Sequence, residues 1–384
     1  MKNHPVLLLA GAVAASAAFA QAPTVRDSAG VRIVENTSRA TAPVLFTLGT
    51  TARFDIGGLE QNPDDEFNSR QRNLRGAWLS NGGVAVIDGV RIHYFDKTGK
   101  RLRIVGRQGK GPEEFSDIST ICRTRGDTII VTDGNPGRMA VVSGSGAAVR
   151  TFLQDSLGSP PFDGCLDDGT VLFRPYSWRT PRSPSTARLT RRRLDGTIVN
   201  LIGDFDPGVL DYATGVVPTV AARGQRVYWG DPRTSEVRIF SVTGKLLSII
   251  RSADVGGVLS SEDAERLFRS TFAPNTPPAI AQMRVDRMRS FLHASTWPTY
   301  REFHVDPNGR IWIEDYARTH PSADGWTLFD AQGRLVGRLV LPAPKQGERP
   351  LLVIGFGVDE MFVRRADENG AAHLTVYPIV RAAP

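Results

Sequence analysis

The stretch at residues 82–107, GGVAVIDGVRIHYFDKTGKRLRIVGR, restricts the possible folds more than any other part of the chain. It holds three short apolar-alternating runs: Val84-Ala85-Val86-Ile87, Ile92-His93-Tyr94-Phe95 and Leu102-Arg103-Ile104-Val105. Asp88-Gly89 separates the first two, and Lys97-Thr98-Gly99 the second and third. Short β-branched or aromatic runs between Gly and Asp turns form the antiparallel strands of a meander.

Variants of this pattern recur at residues 118–153, 162–202, 216–250, 300–341 and 351–379. Self-similarity with a period of about 40–50 residues indicates a propeller or a solenoid. The last unit holds only three strand-like runs, while residues 44–56 contain a run with no unit of its own. Lending that early strand to the last sheet closes a ring and removes exposed edges. The expected fold is all-β: a six-bladed β-propeller over residues 44–384, closed by an N-terminal strand. Residues 21–43 form an extension ahead of it.

Two stretches depart from the repeat. Residues 260–294 lack strand alternation. Ser260 or Ser261, followed by Glu262, Asp263 and Glu265, has the form of a helix start with acids at the positive end of the dipole. Leu267, Phe268 and Phe272 share one face of that helix. After a break at residues 274–278, Ile280, Met283, Met288, Phe291 and Leu292 mark a second amphipathic helix. The pair is a helical insertion between blades four and five, expected to plug one face of the ring rather than act as a lid. Residues 176–186, with Pro181 and Pro184, read as a long loop in the third unit.

The N-terminus has its own signature. A positive charge at Lys2, an apolar run at residues 6–15 and the small-x-small site Ala18-Phe19-Ala20 describe a secretory signal peptide cut after Ala20. The apolar run is too short to span a bilayer, and no later stretch approaches a membrane span. A periplasmic or secreted protein is expected, and a monomer. Of 384 residues only Cys122 and Cys165 are cysteines, too few for a disulfide-built scaffold. They occupy matching positions on adjacent first strands; two free buried thiols are the favoured reading, with a bridge as the alternative. The net charge of +7 favours anionic surfaces. Export argues against nucleic acid as the partner. Arg191-Arg192-Arg193 reads as a solvated face or as a patch for an anionic polymer.

Three segments together resemble a bacterial family of exported six-bladed β-propellers, related to NHL-type and TolB-like propellers. They are Asp27 to Asn36 (DSAGVRIVEN), Gly106 to Phe115 (GRQGKGPEEF), and the stretch from Tyr300 to Tyr316 with Asp306 and Ile311-Trp312-Ile313. The resemblance covers nearly all of the chain beyond the signal peptide. It implies the fold and little about chemistry, since a propeller hosts binding modules and unrelated enzymes alike.

Candidate functional residues fall into three groups. Arg107 and Lys110 flank the glycines 106, 109 and 111, whose spacing does not match a phosphate-binding loop. The glycines serve the crossing between blades, and the two cations are candidates, with Arg75 and Arg301, for binding a ligand near the channel mouth. Asp88, Asp133, Asp231 and Asp315 end the second strands. Each is positioned to accept hydrogen bonds from turn amides, and together they are weak candidates for a Ca²⁺ site. Asp163, Glu302 and His304 fall on channel-lining strands and are the candidates for general acid–base work. The remaining histidines, His93, His293, His320 and His373, are scattered without ligand spacing. A clear repeat without a convergent catalytic set favours a non-catalytic binding or scaffold protein for a protein, peptide or glycan, with no resident cofactor. A Ca²⁺-assisted hydrolase or lactonase acting in the channel is the alternative.

Overall fold

A computed structural model of the chain describes residues 22–58, 67, 75–111, 113–134, 137–144, 149–153, 162–174, 186–205, 216, 218–270, 272, 275–289, 296–316, 325–342, 351–367 and 370–382. The signal peptide, all but the last residue of the loop expected at 176–186, Phe291, Leu292, His293 and His320 lie outside these residues.

The fold is all-β with two short helices, and its sheets stand in a propeller-like arrangement. The stretch at 82–107 forms the strands Val84–Asp88, Arg91–Phe95 and Arg101–Val105, preceded by Arg75–Trp78, in one four-stranded antiparallel sheet. Two further four-stranded meanders follow, at residues 118–153 and 164–205. The hairpins close as their chemistry requires. In Asp96-Lys97-Thr98-Gly99 the Asp96 carboxylate accepts from the amides of Thr98 (2.8 Å) and Lys100 (3.0 Å), and Gly99 takes φ +85°. The same Asp-x-x-Gly device recurs at Asp306, Asp330 and Asp367.

The apolar clusters lie between neighbouring sheets rather than in one centre. Ile87, Tyr94, Ile129 and Val131 meet between the first two meanders. Ile130, Met139, Phe162 and Val171 meet between the next pair, and Leu172, Leu189, Val227 and Trp229 between the pair after that. Each sheet is therefore buried on both faces, so its strands are apolar on both sides and strict alternation is lost. The first strands of successive meanders also touch in turn: Arg75–Trp78 with Ile118–Arg123, on to Gly164–Cys165, Thr219–Arg223, Tyr300–Val305 and Leu352–Phe356, and back to Arg75–Trp78.

The N-terminal region departs from the expected single strand in two ways. Residues 24–36 form a hairpin, Thr24–Ser28 with Val31–Asn36, whose second strand lies parallel to Leu246–Ser252. That makes a six-stranded sheet of the fourth meander. Residues 44–56 then form two strands. Phe54–Gly57 pairs with the first half of Ala372–Arg381, setting Ile56 opposite Leu374. Val44–Leu48 lies parallel to Leu335–Val340 and antiparallel to the second half of Ala372–Arg381. The last two meanders are thereby fused into one nine-stranded sheet, where separate blades are expected from the sequence. The cause is the length of the final strand: at ten residues it outreaches its own meander and offers a second pairing edge.

The helical insertion is present, but the buried face of its second helix differs from expectation: Ala281, Val285 and Met288 are buried, while Ile280 and Met283 are exposed. Helix α1 spans Ser261–Ser270 and α2 spans Pro278–Arg289. Ser260 Oγ accepts from the Asp263 amide at 3.0 Å and caps α1. Leu267 and Phe268 pack with Val285, Met288 and Trp297.

Cys122 and Cys165 form a disulfide across 5.9 Å between their Cα atoms, which overturns the preference for two free thiols. The first strands of neighbouring meanders converge toward the axis, bringing the pair within bonding range. Closing a loop of 43 residues restricts the unfolded chain, so reduction, or Cys122→Ala with Cys165→Ala, is expected to lower stability by roughly 2–4 kcal/mol. Denaturant melts of oxidised, reduced and doubly substituted protein check this; equal midpoints would contradict it.

Candidate functional site

The sequence candidates separate into those held by local structure and those that converge. Asp133 is fully buried and accepts from the amides of Ser116 (3.1 Å) and Asp117 (2.9 Å), while Arg138 Nε donates to it at 3.1 Å. Asp231 takes the Arg233 amide at 3.0 Å and pairs with the Arg233 side chain at 2.5 Å. Asp315 accepts from Thr327 Oγ1 at 2.9 Å and pairs with Arg338 at 3.2 Å. Asp88 ends its strand half-buried. The four carboxylates end separate second strands, each with its own surroundings. Among the described residues no group of three or more His, Cys, Asp or Glu is placed to hold a metal ion.

Asp163 forms a buried pair with Arg174 at 2.9 Å, and burial pushes its carboxyl above the usual range despite that partner. Arg107 lies exposed and donates to Glu114 Oε1 at 3.0 Å. Glu114 Oε2 accepts from the amides of Lys110 (3.0 Å) and Gly111 (2.9 Å). The Gly-rich crossing thus already cradles an anion, its own Glu114. Gly106 is required there: at φ +99°, a Cβ would lie 2.5 Å from the Val90 carbonyl.

Convergence occurs on the first two strands of the fifth meander, Tyr300–Val305 and Ile311–Asp315. Their register shifts between Tyr300, opposite Asp315, and Phe303, opposite Ile313. Arg301 and Glu302 therefore face the single residue Glu314. This is a β-bulge, a device that re-aims side chains. Similar shifts occur in the first hairpins at Ile118–Thr120 and Val353–Gly355, while the first hairpins of the first, third and fourth meanders run in regular register. Only at residues 300–303 does the bulge carry a carboxylate on each strand.

Arg301 lies 3.6 Å from Glu314, and His304 Nε2 lies 3.3 Å from Glu302 Oε1. The His304 ring packs against Trp326 and Phe356, with centroids at 5.4 and 5.8 Å. Glu302 keeps 46% of its side-chain surface open although protein packs closely around its carboxylate. Burial alone would raise its carboxyl. The hydrogen bond and charge of His304, with the charges of Arg301 and Arg75, outweigh burial and hold it below the usual range. Arg75 reaches the cluster from the first meander. Glu314 goes the other way: burial first, then the negative charge of Glu302, raise it to about 8. Two neighbouring carboxyls are thus split, one ionised and one protonated at neutral pH.

The helical insertion adjoins this cluster. Arg301 lies over the Tyr316 ring at 5.8 Å, and Tyr316 contacts Trp297 at 6.0 Å between centroids. The structure brings together the sequence candidates Arg75, Arg301, Glu302 and His304; Glu314, which joins them, was not among the candidates. Its signal was a second charge beside Asp315 at the end of an otherwise apolar strand.

No family model and no curated protein matches the chain. Solved structures do match in fold. A Bacteroides fragilis protein named as exported aligns over 91% of this chain and all of its own, with a TM-score of 0.53 and 11% identity. A member of the DUF4221 family from Bacteroides vulgatus aligns over 86% of this chain and 98% of its own, with a TM-score of 0.52 and 12% identity. A gluconolactonase from Xanthomonas campestris aligns with a TM-score of 0.41 and 13% identity, too distant to carry an argument about chemistry. The class of protein so defined is a propeller-like all-β fold. No helix among the described residues is long and apolar enough to cross a membrane.

Proposed function

We propose that the chain is an exported, monomeric six-bladed β-propeller of the NHL/TolB-like kind that binds a peptide or glycan at the channel mouth. The count of six rests on the succession of touching first strands, and the closure on the pairing of Phe54–Gly57 with Ala372–Arg381. Export rests on the signal-peptide pattern at residues 1–20. The observation that carries the binding reading is the bulge that sets Arg301 and Glu302 against Glu314, with His304 and Arg75 beside them. A protonated Glu314 donates a hydrogen bond, an ionised Glu302 accepts, and the arginines supply directional donors. Such a mixed set suits amide or hydroxyl groups. Arg107 and Lys110 lie on the Gly-rich crossing and are proposed as outer contacts.

The split between Glu302 and Glu314 favours a second reading: hydrolysis with Glu314 as general acid and Glu302 with His304 as base. A Ca²⁺-assisted version would draw on the second-strand aspartates. A glycan and peptide array, followed by titration of hits, tests the binding reading. Saturable binding is expected, weakened at least about tenfold by Glu302→Gln, with no turnover of lactones or esters. Turnover abolished by Glu314→Gln would replace binding with catalysis. A rise in Tm with Ca²⁺ that chelator reverses would point to the metal-assisted version.

A further inference from the structure

A second cleft, of about 500 Å³, lies at the other end of the first strands. Its walls come from the turns that close those strands, after Arg123, Cys165, Arg223 and Val305, whereas Arg75 and Arg301 open theirs. Arg123, Asp167, Arg223, Arg226, Tyr228 and Asn308 line it. Three guanidinium groups therefore face one carboxylate. Two other acids lie nearby, and each is already neutralised: Asp306 is fully buried against Arg310 at 2.5 Å, and Asp127 pairs with Arg123.

The arginines are not equivalent. Arg123 pairs with Asp127 at 2.9 Å, and the charge of Arg226 acts on the Tyr228 hydroxyl. The Arg223 guanidinium makes no hydrogen bond or ion pair among the described residues. Burial, and then the positive charge of Arg123, push its proton affinity below the ordinary value. A half-buried, unpaired guanidinium beside a second one is unfavourable unless an anion joins them. The walls are also fixed in place: the Cys122–Cys165 disulfide ties the strand carrying Arg123 to the turn carrying Asp167.

The geometry points to a ligand site in this cleft for the carboxylate or phosphate group of a small hydroxylated organic anion, such as an acidic sugar. The planar fork of Arg223 matches either group. The Tyr228 ring supplies an apolar wall, and Asn308 an amide that both donates and accepts. The volume suits one or two sugar rings.

Calorimetric titration of the full mature chain with glucuronate, glucose 6-phosphate and glucose, at constant ionic strength, tests the site. One or both anionic sugars should bind saturably, at about 1 mM or tighter, and raise Tm, while glucose should not. Binding by glucuronate alone assigns a carboxylate, and by the phosphate ester alone a phosphoryl group. Arg223→Gln should weaken binding at least tenfold, Arg223→Lys should weaken it less, and Glu302→Gln should leave it unchanged. Because the Arg223 side chain makes no hydrogen bond or ion pair among the described residues, the Arg223→Gln protein should melt no lower than the parent without ligand. Absence of binding by both anions, equal binding of glucose, or full affinity in Arg223→Gln would overturn the assignment.

Discussion

A chain that begins at Gly58 is expected not to fold. Removing the residues before it strips Phe54 and Ile56 from the cluster shared with Val84, Phe95, Phe362 and Leu374, and Leu48 from the cluster around Trp312 and Trp326. Full burial of each such side chain is worth about 1.5–3 kcal/mol. Three of them approach the entire stability of an ordinary domain, about 5–15 kcal/mol. Polar bonds are lost as well. Asp55 accepts from Thr375 Oγ1 at 2.7 Å, pairs with His373 at 3.2 Å and takes the Arg365 guanidinium. The truncation also bares one edge of Ala372–Arg381 along its length, a template for aggregation. The milder Ile56→Ala should fold with a loss of about 2–5 kcal/mol. Circular dichroism and denaturant melts read both outcomes, and a synthetic peptide covering residues 44–58 should restore structure to the truncated chain. A cooperative melt of the truncated chain near the parent midpoint would show that Phe54–Gly57 does not close the fold.

The contrast between this closure and the site shows what a sequence can disclose. Hairpins with Asp-x-x-Gly turns announce themselves because every contact they need lies within a few residues. The early strand could be placed because the last meander lacked one and an exposed edge is unfavourable. The Thr24–Asn36 hairpin had no such signal. Thr24–Ser28 is exposed throughout, and Val31–Asn36 finds its partner more than 200 residues away. Once there it is held by Asn36 Nδ2, which donates to the Arg251 and Gly333 carbonyls at 3.0 Å each, and by Arg39, buried against Asp254 at 2.8 Å. Glu314 was hidden for another reason. Regular alternation does not set it against Glu302; a one-residue register shift does, and no local residue pattern marks that shift. In the second cleft Arg223 and Arg226 flank one hairpin turn, but Arg123 lies far earlier in the chain, and only the side-by-side packing of the first strands brings it to them.

Glu314→Gln should make the protein more resistant to alkali. In the folded chain Glu314 keeps its proton up to about pH 8, whereas the unfolded chain releases it near 4.5. Below 4.5 both states are protonated and the residue has no effect. Between those values only the unfolded state is ionised, so stability falls as pH rises, and the full loss is reached above 8. At about 1.4 kcal/mol per pKa unit, the loss amounts to a few kcal/mol. Glutamine carries no proton to lose and keeps an oxygen for Arg301. The difference in melting temperature between parent and variant should therefore be small at pH 4.5 and widen steadily toward pH 9. Glu302→Gln gives an independent check. The negative charge of Glu302 is the second cause of the raised value, so its removal should move the alkaline midpoint of Glu314 toward the ordinary carboxylate range. Parallel pH profiles for the parent and Glu314→Gln would mean that Glu314 is already ionised at neutral pH, and the proton donor proposed for this cluster would have to be sought elsewhere.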